Sequence, residues 1–150
     1  MNSFYTVTQA IFEQLKKAGF NDVFLGEIYE TDLERQTIFP YAVIVPQTAT
    51  LPVNVDVITI LIVGMDLVDF SKSDPRDQEE PFYGIDNVQD VLNDIYNRLS
   101  LVSEYFKRGE TLFELDGVAS LDPFLHRFED LLYGWELTLT IKLPANTPIC

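Results

Sequence analysis

Three sets of residues in this chain carry side chains that could do chemistry. His126 is the only histidine and lies in the stretch DPFLHRFEDLLYGWELTLTIKLP, residues 122–144. Cys150 is the only cysteine and occupies the last position. The acids Asp66, Asp69, Asp74, Asp77, Glu79 and Glu80 cluster in one stretch. A nucleophilic Ser, Thr or Cys needs a base and a group that orients the base. His126 sits between Leu125 and Arg127, and no G-x-S-x-G elbow occurs anywhere. One His and one Cys are too few for the usual four-ligand zinc site. The acidic cluster lacks the D-x-[DN]-x-[DN]-G spacing of an EF-hand, so it reads as a solvated loop. No carboxylate pair is singled out for glycoside chemistry. The seven glycines are scattered and form neither G-x-x-x-x-G-K-[ST] nor G-x-G-x-x-G. The expectation is no catalytic residue, no metal and no cofactor.

Charge narrows the partners further. The chain holds 24 acidic and 10 basic residues, a net charge of −14. Binding to nucleic acid comes mostly from Lys and Arg neutralising phosphates, so a chain this acidic repels DNA on average. Lys16-Lys17 and Lys107-Arg108 are isolated pairs at predicted helix C-termini, where the helix dipole accounts for them. The N-terminal residues lack the basic region of a secretory leader. The apolar run at residues 57–65 is broken by Thr59 and Gly64 and falls short of the ~20 residues that span a bilayer. A lone cysteine allows no internal disulfide, which fits a reducing compartment or a particle assembled in one.

The elements that must position these residues follow from periodicity. With 150 residues, 47% hydrophobic and 23% charged, the chain suits one domain with its own core, residues 1–150. Phe4, Val7, Ile11, Phe12, Leu15 and Ala18 follow helical spacing and predict a first helix with one apolar stripe. Gly19 supplies its left-handed stop, with Phe20 packing back. Residues 23–29 and 41–45 read as strands, the second closed by Pro46. Residues 54–66 (NVDVITILIVGMD) form the best strand, with Ile58, Ile60 and Ile62 on one side and Val55, Val57, Leu61, Val63 and Met65 on the other. A strand apolar on both faces needs both faces covered. Residues 68–84 form a long acidic loop. A long second helix over residues 87–107 carries Val88, Val91, Leu92, Ile95, Leu99, Val102 and Phe106 on one face, with Asp86 and Gln89 spaced as a capping box. Residues 111–115 and 118–121 make either a strand pair or one bent strand at Asp116-Gly117. A final strand from Tyr133 to Leu143 alternates Trp135, Leu137, Leu139, Ile141 and Leu143 with Glu136, Thr138, Thr140 and Lys142. The fold class is α+β: an antiparallel or mixed sheet with the N-terminal helix and the long second helix packed on it.

This element order, ending in a pattern PF-x-x-RF-x(5)-GW-x-L-x-L-x-I-x-L-P, resembles the tail terminator (tail completion) proteins of tailed bacteriophages. The residues carrying it are Pro123, Phe124, Arg127, Phe128, Gly134, Trp135, Leu137, Leu139, Ile141, Leu143 and Pro144. The resemblance implies a structural virion protein, not an enzyme. It would form a homo-oligomeric ring at the neck, joining or terminating the tail, with portal-side or tail proteins as neighbours. DNA would only pass through an acidic lumen, and the ring would assemble in the host cytoplasm.

Association surface is the remaining functional signal. Aromatic and Arg residues are enriched at interface cores. Aromatic residues outside the periodic core positions, together with the long loop, single out Phe70, Asp74, Arg76, Phe82, Tyr83, Arg127 and Tyr133 as subunit-interface candidates. Two other classes compete. An acidic interaction module mimicking DNA would need carboxylates spaced along one face, whereas the acids concentrate in loops. A small hydrolase would need a positioned base or metal set.

Overall fold

Helix α1, Ser3–Lys17, begins the fold of a computed structural model that describes residues 3–26, 40–67, 85–108, 113–127 and 132–144. Val7, Ile11 and Leu15, spaced by four, are fully buried. Phe4 and Phe12 were expected on the same stripe but remain 40% and 37% exposed. The helix meets the sheet along a single i, i+4 line, which leaves its flanking aromatics at the margin. Its end is the predicted glycine stop. Gly19 has φ 101°, its N–H donates to the Lys16 carbonyl at 3.1 Å, and the Phe20 N–H donates to Leu15 at 3.1 Å. This is the Schellman pairing, and Phe20 is buried beneath it. Arg98 fastens the same end, donating from Nη1 to the Ala18 carbonyl at 2.9 Å while Nε pairs with Asp94 at 2.8 Å.

Strands β1 (Asp22–Leu25), β2 (Tyr41–Thr50) and β3 (Val55–Leu67) precede helix α2 (Ile85–Lys107); β4 (Glu114–Leu115), β5 (Ser120–Arg127) and β6 (Leu132–Pro144) follow it. The six strands form one mixed sheet in the order β1-β2-β3-β6-β4, with β5 also on β6. Only the β1–β2 pair is parallel among these pairings. The α+β expectation holds in this form. The acidic loop at residues 68–84 and the predicted strand residues 27–29 lie outside the described residues.

Both described helices pack on one face of the sheet. The main core joins Val7, Ile11 and Leu15 of α1 with Ile95, Leu99, Val102 and Phe106 of α2, over Ile58, Ile60, Ile62, Leu137, Leu139 and Ile141. Each such fully buried side chain contributes about 1.5–3 kcal/mol. The other face of β3 is buried at one end, where Val63 and Met65 join Tyr41, Val43 and Leu132 in a second cluster. Toward the other end Leu61, Val57 and Val55 are half-buried. Gly64 lets α2 and Phe20 approach β3, since an added Cβ would lie 2.9 Å from Phe20 Cζ. At Gly134 an added Cβ would overlap the Gly64 carbonyl of the paired strand.

Three local expectations are corrected. Strand β2 does not stop at Pro46 but runs to Thr50, with a register shift between Pro46 and Thr48. β1 ends opposite Ile44, so no neighbour on that side needs the missing Pro46 N–H. Helix α2 starts at Ile85, so Asp86 falls in its first turn rather than at the cap, still at the positive end of the dipole. Asp116-Gly117 does not turn a hairpin. β4 and β5 both pair with β6, and from Leu115 to Ser120 the chain advances five residues while β6 advances three, from Ile141 to Thr138. The bent-strand alternative is the one observed: a bulge with Gly117 at φ 86° and Val118 pushed out to 93% exposure.

Candidate interaction site

The predicted interface residues Phe70, Asp74, Arg76, Phe82 and Tyr83 lie outside the described residues. Arg127 ends β5 with its backbone opposite Leu132. Tyr133 is half-buried and packs against the main core. The two halves of the C-terminal pattern are cross-strand partners: Pro123 faces Trp135 and Phe124 faces Gly134. Trp135 then reaches across to α2. Its indole Nε1 donates to the Leu92 carbonyl at 2.8 Å, and its ring meets Tyr96 edge-on at 5.3 Å. The tryptophan is therefore a strand-to-helix tie, not a free recognition group.

Beside Trp135, α2 and the β4–β5 bulge enclose a cleft of about 440 Å³ lined by Tyr96, Ser103, Lys107, Leu121 and Trp135. Ser103 is buried, and its Oγ has no hydrogen-bond partner among the described residues. Among the described residues no base is engaged with this hydroxyl. Lys107 pairs with Glu104 at 3.4 Å on the helix surface. Lys16 donates to the Asn21 carbonyl at 2.7 Å and lies 5.7 Å from the centre of the Phe12 ring. Lys16 thus satisfies a carbonyl just past the C-terminus of α1. Among the described residues no three His, Cys, Asp or Glu side chains come together to hold a metal ion. No described helix is long and apolar enough to cross a membrane.

Exposed apolar surface appears at places the sequence reading did not single out. Leu51 and Val53, in the turn between β2 and β3, are 76% and 86% exposed. Asn54 holds that turn with φ 66°. A second patch lies where α1 meets the edge strand β1. There a groove of about 300 Å³ is lined by Phe4, Tyr5, Phe12, Val23 and Leu25, among others, and Leu25 is 58% exposed. Periodicity assigned Phe4 and Phe12 to the core, which hid this patch. No family model and no curated protein matches the chain.

Proposed function

We propose that this chain is a structural subunit of a bacteriophage head–tail connector or tail, a tail-terminator-like protein forming an oligomeric ring at the neck. The observation that carries the ring is the pair of unlike apolar patches, Leu51–Val53 at one turn and the α1–β1 groove at the sheet edge. A subunit with two different adhesive patches associates head to tail, and head-to-tail contacts close into rings when the rotation permits. The place in the particle rests on the resemblance of the C-terminal pattern and on element order. The net charge of −14 supports a lumen that DNA traverses without binding. In this reading the loop at residues 68–84, with Phe70, Asp74, Arg76, Phe82 and Tyr83, reaches a neighbouring subunit or ring, and Arg127 and Tyr133 are further subunit-interface residues. Deleting residues 73–80 then impairs assembly without lowering the melting temperature; intact rings from the deletion contradict that role.

Removing the gene from the phage genome that carries it tests the function. The expected result, by electron microscopy of lysates, is filled heads and tails that fail to join, or tails of uncontrolled length. Normal infectious particles would overturn the proposal.

A further inference from the structure

The chain alternates acids with short neutral segments almost everywhere. Its two longest stretches without Asp, Glu, Lys or Arg are residues 36–55 and residues 1–12. The first contains the β2–β3 turn with Leu51 and Val53. The second supplies Phe4, Tyr5 and Phe12 to the α1–β1 groove, and none of the described residues lining that groove carries a formal charge. Each copy carries −14, so two copies repel wherever acidic surfaces face each other. The least opposed contact joins one charge-free patch to the other. Interface cores are depleted of charged residues in any case, because burying a charge costs its hydration.

Reach decides whether that contact is internal. The groove includes Ile44, where β1 ends beside β2. Leu51 lies seven residues beyond Ile44, just past the end of β2, roughly 20 Å away at the rise of a strand. β2 stays paired with β3 as far as Thr50 opposite Val57, which holds the turn away from its own groove. The strand on which the turn is mounted is itself open: Pro46 to Thr50 are all exposed. A cavity of about 300 Å³ has room for small aliphatic side chains such as Leu and Val.

We infer that the Leu51–Val53 turn of one copy seats in the α1–β1 groove of the next copy, and that this is the subunit contact of the ring. The contact rests on the ring reading and specifies which surfaces make it. It is heterologous, so each copy offers one turn and one groove. Phe12 and Leu25 flank the entering side chains, and Pro52 between them stiffens the turn at low entropic cost.

Sedimentation velocity and native mass spectrometry of the full chain test this with two variants. Leu51→Asp with Val53→Asp spoils the turn, and Leu25→Asp spoils the groove. All three positions are exposed, and matching circular-dichroism melts confirm that the variants fold. A milder pair, Leu51→Ser with Val53→Ser, removes the apolar turn without adding charge. The parent is expected to assemble, and each variant alone to lose every species larger than the monomer. An equimolar mixture of turn and groove variants is expected to give a 1:1 dimer and nothing larger, because one intact turn meets one intact groove. Variants that assemble like the parent overturn this contact and leave the ring. A mixture that stays monomeric shows that turn and groove are not partners and overturns it too. A parent that remains monomeric at its highest soluble concentration overturns the ring and this contact together.

Discussion

The two halves of β2 have nearly the same chemistry and opposite fates. Tyr41 to Ile44 are buried, whereas Pro46 to Thr50 are all exposed. Neither half contains a charged residue. The first half has β1 on one side and β3 on the other, with a packed cluster on each sheet face. The second half has β3 alone among the described strands. An edge strand is ordinarily protected by charge, by proline or by a bulge. Here Pro46 and the register shift blunt the start of the open segment, but no charge guards the rest. This neutral, exposed segment carries the turn of the proposed contact between copies.

The sharpest way to break this comparison is to place one charge in each half. Ile44→Asp buries a carboxylate in the main core and is expected to cost about 4 kcal/mol or more, enough to abolish a cooperative urea transition. Ala49→Asp, on the open half, is expected to stay within about 0.5 kcal/mol of the parent in the same titration. Equal losses at the two sites would mean that the open half is structural after all.

A smaller effect is expected where the covered sheet is tightest. Gly134→Ala forces a methyl group against the Gly64 carbonyl. It should lower stability by about 1–3 kcal/mol, read from the melting temperature. An unchanged melt would show that β3 and β6 have slack at this point. Smaller again is Trp135→Phe, which keeps the ring against Tyr96 but removes the bond to the Leu92 carbonyl. About 1 kcal/mol of destabilisation is expected. A larger loss would make the indole an anchor of α2 as a whole.

What the sequence disclosed depended on how local each cause was. Helix α2 was legible because Val91, Ile95, Leu99, Val102 and Phe106 repeat one face over many turns. The α1 stop was legible because Gly19 and Phe20 act within one turn. The course of β2 through Pro46 was not, because it depends on where β1 ends, and that neighbour comes from another part of the chain. The bulge at Asp116-Gly117 is similar: a dipeptide that often turns hairpins stays in line because β6 is there to pair with both flanks. The exposed patches were partly legible. The long charge-free runs are visible in the sequence, but Phe4 and Phe12 fitted the helical stripe so well that their exposure could be seen only once the sheet margin was known.

The salt dependence of self-association is the most direct test of a contact between charge-free surfaces. If acidic copies meet through charge-free surfaces, repulsion between them is the main opposing force. Raising salt from about 0.1 M to about 1 M shortens the Debye length from about 10 Å to about 3 Å and screens that repulsion. The weight-average sedimentation coefficient is expected to rise with salt at fixed protein concentration. A coefficient that falls with salt would contradict it, because the copies would then be held by ion pairs rather than by the neutral turn and groove.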